Sequence, residues 1–520
     1  MADSTPLLSE SDSPNSSETR SLQKPLPFPS PSPSLDDVIE QYLTRSGKSQ
    51  FLQAFLISFA CFFDAQQTFI TIFTDAQPKW HCTTSHPALQ SSCNAEDLSA
   101  LCRLPAASWS WDLPKHASTV SDWSLHCSAS VVAGLPASSY FLGCLLGGFL
   151  LSTLADSSLG RKQTLFLSSL LMSTAAFLAA LSPNVWIYSL LKFLSGFGRS
   201  TIGSCALVLS TETVEKRWRG QVGIGGFFCF SLGFLSLPAV AFLNRGSSWR
   251  VLYLYTSLPT LFYCVLIYVA VRESPRWLFV QGRKEEAVAT LKSIAPSLTA
   301  SFSGMIPVAE TTYSSLKVLV QKRWALRRLL AAMAVGFGIG IVYYGMPLAV
   351  GSLPFDFYLS VTFNALAEVP SALATVVLID RMNRRTAVMV FGGLSGICSV
   401  ACAWAGTAWD LGMELTSFFS ACTAFNAAQI YTIELFPTCV RNSAASLLRQ
   451  AIMFGGVFSP VLIAAGRGGR WLSFGVFGLA IGLCALFAVF LPETRGRKLC
   501  DTMEEEEQIQ QKSAKPVTTV

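Results

Sequence analysis

Twelve long apolar runs dominate this chain, near residues 51–73, 130–153, 163–182, 185–209, 222–243, 250–271, 328–349, 355–379, 386–405, 410–431, 443–466 and 471–491. A hydrocarbon core of ~30 Å is crossed by a helix of about 20 residues. In lipid only a helix or a closed barrel satisfies its own backbone. Runs of this length, continuous rather than alternating, predict helices. Glu368 and Glu414 interrupt the eighth and tenth runs, which makes these the weakest spans. Gly recurs inside the spans (Gly143, Gly147, Gly148; Gly336, Gly338, Gly340), as close helix approach in lipid requires. Charged residues are 13% of the 520, against about 25% in soluble chains. So few charges cannot wet a soluble surface this large. A net charge of +6, dispersed along the chain, excludes a nucleic-acid binder.

Orientation follows from Lys and Arg, which gather on the cytosolic side. With the N-terminus inside, 28 of the 38 fall in cytosolic segments and 7 on the opposite face. The other three, Lys192, Arg199 and Arg449, lie within spans. Both termini are therefore expected in the cytosol. Residues 1–50 are polar and Ser/Pro-rich and read as a disordered tail with no signal peptide. Residues 51–271 form the first six-helix half, 272–327 a cytosolic linker, 328–491 the second half, and 492–520 a cytosolic tail. The non-cytosolic loop 74–129 carries Cys82, Cys93, Cys102 and Cys127, whereas the linker carries no Cys. That asymmetry suits two disulfides with three pairings open, the alternative being four free thiols.

Charged motifs repeat between the halves. Asp156, Arg161 and Lys162 follow the second span, and Asp380, Arg384 and Arg385 follow the eighth. Glu212 and Arg219, seven apart after the fourth span, match Glu434 and Arg441 after the tenth. Glu273 and Arg276 follow the sixth span in Glu-Ser-Pro-Arg-Trp, and Glu493 follows the twelfth in Pro-Glu-Thr-Arg-Gly. The offsets of the leading acids are 224, 222 and 220 residues, which indicates a six-plus-six duplication. All lie at cytosolic helix ends. There, opposite charges can bond across neighbouring helices in one state and part in another, and carboxylates can sit at helix N-termini. The set reads as a cytosolic gate for two halves that rock about a midplane site.

The Asp-x-x-x-Gly-Arg-Lys pattern after span two and its counterpart after span eight resemble the major facilitator superfamily. Glu273-Ser-Pro-Arg276 and Pro-Glu493-Thr-Arg are similar to its sugar-porter and organic-ion branches. The Cys-bearing first loop, Ala367-Glu368-Val-Pro, and Glu434-Leu-Phe-Pro-Thr-Cys-Val-Arg441-Asn resemble the organic cation/carnitine transporters. Phe63-Asp64-Ala-Gln-Gln-Thr-Phe69 and Trp80-His-Cys82 resemble the plant members of that family. The resemblance runs from about residue 35 to 505 and implies the major facilitator fold, all-α, with alternating-access transport of organic cations or carnitine-like zwitterions.

An ionisable group at mid-bilayer costs at least ~2.5–3.5 kcal/mol, so it needs a partner or a role. Asp64 and Glu368 each sit 13 residues into their spans, near the midplane where transporter sites are built. Either could neutralise a cationic substrate, pair with Arg199 or Arg449, or carry a coupling proton. The resemblance favours substrate contact for Glu368. Lys192 is expected to snorkel outward. Tyr343 and Tyr344 could pack a quaternary ammonium. Adjacent residues point about 100° apart on a helix, so at most one is expected to face the cavity squarely. Many animal relatives in this family carry an Asp in span eleven before a Gly pair; here Met453 precedes Gly455-Gly456, with Arg449 close by. That exchange favours a zwitterion held by Glu368 and Arg449.

Neither long cytosolic segment carries a Gly-x4-Gly-Lys-Ser/Thr phosphate loop, and no catalytic or metal-ligand constellation stands out. A secondary transporter that is not an enzyme, uses no cofactor and is coupled to a proton is expected. The tail's Asp3-Ser-Thr-Pro-Leu7-Leu8 matches an acidic dileucine sorting signal, which favours the vacuolar over the plasma membrane. Two alternatives stand: a porter for a neutral or anionic, sugar-like solute, and a transport-dead membrane sensor.

Overall fold

The computed structural model describes residues 40, 43, 48–83, 101–157, 159–294, 315–379, 381–405, 409–466, 469–496, 500 and 502–514. Asp3, Leu7, Leu8, Cys93 and Asp380 lie outside the described residues. Twelve bundle helices follow in order. They are α1 (Lys48–Thr74), α2 (Ser130–Ser157), α3 (Arg161–Ala179), α4 (Val185–Arg199, resuming as Ile202–Glu212), α5 (Arg219–Leu243) and α6 (Trp249–Ala270). The second set is α7 (Arg323–Ala349), α8 (Phe357–Ile379), α9 (Arg384–Ala405), α10 (Asp410–Leu435), α11 (Thr438–Ala465) and α12 (Phe474–Leu486). Among the described residues, nine helices are long and apolar enough to cross a membrane. The other three are α3, α4 and α10. α3 opens on Arg161 and Lys162, α4 breaks at Ser200 and carries Lys192 and Arg199, and α10 holds Asp410, Glu414 and Glu434.

Packing repeats between the halves. In the first, α2 packs on α4, α1 on α5, and α3 on both α4 and α6. In the second, α8 packs on α10, α7 on α11, and α9 on both α10 and α12. The halves meet through α2 against α11 and α5 against α8, which are equivalent pairs under the repeat. Glycines set the crossings. A Cβ on Gly196 of α4 would overlap the Tyr140 carbonyl of α2, and one on Gly340 of α7 would overlap the Ile452 carbonyl of α11. Both obstacles are backbone, so neither can swing aside. Gly196→Val is therefore expected to destabilise the first half by about 1–3 kcal/mol or more, read as a lower thermal midpoint by fluorescence size-exclusion in detergent.

On one face, here the loop face, the described residues 75–83 and 101–129 form a small cap. Strands β1 (Trp80–Cys82) and β2 (Trp109–Trp111) pair antiparallel, with Trp80 opposite Trp111. Cys102 and Cys127 form a disulfide, and Cys82 is disulfide-bonded as well. Arg250 at the start of α6 donates to Asp122 at 2.7 Å and ties the cap to the bundle.

The opposite, tail face holds the linker helices Pro275–Val280 and Lys284–Ile294. Leu43 is buried with Trp277, Leu278, Ala287 and Leu291, while Glu40 pairs with Arg219. Helix α13 (Met503–Ala514) docks beside α7: Arg328 donates to Glu506 at 2.8 Å and Trp324 Nε1 to Glu507 at 2.9 Å. Hydrogen bonds from Lys322 and Trp324 hold the Glu507 carboxyl below the ordinary glutamate range.

Candidate functional site

A cavity of about 1280 Å³, measured with its open mouth, lies between the two halves. Its wall runs from Asp64 and Glu368 at mid-depth toward the tail-face ends of the helices, reaching Ser210, Val222, Ala372 and Gln429. Toward the loop face the halves close on aromatic rings. Phe73 of α1 lies 5.3 Å from Phe357 and 5.9 Å from Tyr358, and Phe242 lies 5.5 Å from Tyr358. The cavity thus opens toward the tail face.

Four charged side chains line it, in two different states. Asp64 of α1 pairs with the Arg199 guanidinium of α4, with side chains 6% and 9% exposed. The α4 backbone breaks immediately after Arg199, at Ser200–Thr201. Glu368 of α8, half-buried, pairs with no cation among the described residues. Its carboxylate accepts from the Tyr343 hydroxyl at 2.6 Å and from Ser231 of α5 at 3.1 Å. Arg449 of α11 donates to Ser204 of α4 at 2.5 Å, and among the described residues no ion pair engages it. One carboxylate and one guanidinium without ionic partners therefore share a chamber. Two neutral hydroxyls orient the carboxylate without neutralising it.

The aromatic wall differs from the expectation that only one of the adjacent tyrosines faces inward. Both Tyr343 and Tyr344 line the cavity, their rings crossing at 85°. Tyr343 stacks on Phe425 at 4.9 Å, and Tyr344 meets Phe141 at 4.6 Å. Both can contribute because the cavity wraps around α7 rather than touching one stripe of it. Met453 sits 3.7 Å from Arg199 Nη1 and 3.5 Å from the Tyr344 hydroxyl. A thioether there leaves Asp64 as the anion for Arg199.

Lys192 does not snorkel. It is 1% exposed, its ammonium 4.5 Å from the Tyr140 ring and 5.5 Å from that of Tyr253. Cation–π attraction from two faces offsets part of the desolvation that snorkelling would have avoided.

The tail-face motifs form helix caps. Glu273 accepts the backbone N–H groups of Arg161 at 3.1 Å and Lys162 at 3.0 Å, at the first turn of α3. Glu493 does the same for Arg384 at 2.9 Å and Arg385 at 3.2 Å, at the first turn of α9. Carboxylates at helix N-termini meet both free N–H groups and the positive dipole end. Gly160 has φ +80°, and a Cβ there would come within 2.5 Å of Glu273 Oε2, so the motif's glycine makes room for the cap. Arg384 also donates to Glu434 at 3.1 Å, and Thr494 to Glu434 at 2.6 Å. Arg219 donates to the Thr211 carbonyl at 3.2 Å. Glu212 Oε2 and the Nε and Nη2 atoms of Arg441 are buried without hydrogen bonds. Arg276 follows Glu273 in the first linker helix, and Asp156 falls in the last turn of α2. The bonds of Glu273, Glu434 and Glu493 each stay within one half, so in this conformation they stiffen the halves rather than join them. Glu493→Ala is expected to cost about 0.5–2 kcal/mol, seen as a lower thermal midpoint, with Glu493→Gln losing less.

Ser231, Ser204 and Phe425 also shape the site, and nothing in the sequence separates them from other span residues. Two duplicated six-helix halves around a midplane chamber, open to one face, define a membrane transporter of the major facilitator architecture. Residues 105–505 match the family model "Sugar (and other) transporter". The chain is 58% identical over 520 residues to "Organic cation/carnitine transporter 3" of Arabidopsis thaliana, covering 98% of each chain. It is 29% identical over 415 residues to "Organic cation/carnitine transporter 2" of Homo sapiens, covering 76% of this chain and 73% of that protein. The inward-open structure of the xylose transporter XylE from E. coli superposes with a TM-score of 0.60 at 16% identity, covering 88% of this chain and 99% of that one. The chain belongs to the sugar (and other) transporter family of major facilitator proteins, among the organic cation/carnitine transporters.

Proposed function

We propose that this protein is a secondary transporter of organic cations and carnitine-like zwitterions, working by alternating access from the vacuolar membrane with both termini cytosolic. Glu368 carries this reading. A half-buried carboxylate in the central chamber, held by Tyr343 and Ser231 and paired with no cation among the described residues, is a receptor for a ligand's ammonium group. Tyr343 and Tyr344 supply ring faces for its methyl groups. Arg449, on the same cavity wall, receives a zwitterion's carboxylate. The names of the plant relatives, organic cation/carnitine transporters, agree with this chemistry. Asp64, paired with Arg199, is the proposed carrier of the coupling proton, since protonating it releases the guanidinium. The excess of Lys and Arg on the tail face supports the orientation, and the dileucine pattern at Leu7 and Leu8 supports the vacuolar address. The test is uptake of labelled carnitine and tetraethylammonium into vesicles, with and without a pH gradient. Accumulation that rises with the gradient is expected, and no accumulation of either compound would overturn the reading.

A further inference from the structure

A second carboxyl group lies in the second half, away from the cavity wall. Glu414, in the second turn of α10, is 0% exposed, and so is Asn364 of α8. The Asn364 amide nitrogen donates to Glu414 Oε2 at 3.2 Å and to the Ser360 carbonyl at 3.1 Å. A carbonyl can only accept, so Ser360 fixes which end of the amide is the donor. Two buried oxygens then remain without a hydrogen bond, Glu414 Oε1 and Asn364 Oδ1. If Glu414 is ionised both are acceptors, and among the described residues neither has a donor. Both deficits would be removed at once by a proton on Oε1 donated to the amide oxygen, with the other carboxyl oxygen still accepting from the amide N–H.

The surroundings agree. The cation at this end of α10, Arg470, is engaged by Asp410 one turn away at 2.6 Å, and Cys402 of α9 donates to the Asp410 carbonyl at 3.7 Å. Among the described residues Glu414 makes no ion pair. Cys422, two turns further along α10, faces the cavity, as do Glu368 of α8 and Tyr343 of α7. A charge at Glu414 would be buried without compensation.

We propose that Glu414 is held as a neutral carboxylic acid in a cyclic acid–amide pair with Asn364, and that this pair positions the α8 turn bearing Glu368. Asn364 and Glu368 are four residues apart, one helical turn, so a clasp on the first fixes the height and rotation of the second. Glu414 is a positioning residue and keeps its proton through the transport cycle. The proposal rests on the transport reading for its activity readout only.

The test combines infrared spectroscopy and uptake on the full-length protein in vesicles. The difference spectrum of native protein minus Glu414→Gln is expected to contain the carbonyl stretch of a protonated carboxylic acid. Glutamine can make both bonds of the pair, so Glu414→Gln is expected to keep native pH dependence and uptake within about twofold. Glu414→Ala and Asn364→Ala are expected to lower uptake on the order of tenfold, mainly through a raised KM. If Glu414→Ala fails to fold, the spectrum and Glu414→Gln still decide. A difference spectrum without that band, or Glu414→Gln as impaired as Glu414→Ala, overturns the protonated pair. An alanine variant as active as the native protein overturns the positioning role. A native protein that transports neither probe fails the transport reading while the spectrum still tests the pair.

Discussion

Replacing Glu368 by Gln is expected to weaken uptake of tetraethylammonium and carnitine by roughly 30- to 1000-fold, equivalent to about 2–4 kcal/mol. The change removes a charge and little else. The side chain keeps its volume, its carbonyl still accepts from the Tyr343 hydroxyl, and its amide still meets Ser231. The loss therefore reads out the attraction between ligand ammonium and carboxylate in a chamber closed toward the loop face. Thermal stability in detergent should stay close to native, because no ion pair is broken. The loss should also be selective. Arg449→Ala is expected to impair carnitine while sparing tetraethylammonium, which has no carboxylate for the guanidinium to hold. A Glu368→Gln protein that transports both cations at native rates would favour a porter for neutral solutes.

The parts of this molecule that sequence revealed are those governed by local pattern or by one strong cost. Twelve apolar runs appear as twelve helices, with ends within a few residues, because the bilayer's thickness leaves little choice of length. Pairing with Arg199 is one of the three roles the sequence leaves open to Asp64, and the cost of unpaired charge in lipid is what makes it one. Glu273 and Glu493 were legible as helix-end carboxylates because both copies of the repeat carry them. What stayed hidden depends on neighbours from distant segments. Lys192 is held by rings of Tyr140 and Tyr253, from two other helices, and no pattern around residue 192 announces them. Glu368 meets hydroxyls from α5 and α7 rather than Arg449, and no pattern around residue 368 announces Ser231 or Tyr343. The docking of Glu40 and Leu43, and of α13 through Glu506 and Glu507, arises between segments whose own composition is polar and reads as tail.

The Asp64–Arg199 pair separates stability from coupling. Asp64→Asn leaves the Arg199 guanidinium buried among the Met453 and Cys144 sulfur atoms, the Tyr344 hydroxyl and a neutral amide, with no anion to meet it among the described residues. Stranding one partner of a buried pair costs about 3–5 kcal/mol, so a marked fall in thermal midpoint is expected. Removing both charges, as in Asp64→Asn with Arg199→Gln, should recover most of that stability, because two amides of suitable reach can bond each other and neither carries a desolvated charge. Transport should not recover in the same way. With the Asp64 carboxyl no longer there to take up and release a proton, the double variant is expected to exchange labelled for unlabelled carnitine at near-native rates. It should no longer accumulate carnitine when a pH gradient is imposed. Stability and exchange restored with accumulation lost would assign the coupling proton to Asp64. Gradient-driven accumulation that survives in the double variant would remove Asp64 from that role and pass it to another carboxyl group in the cavity, of which Glu368 is the one at hand.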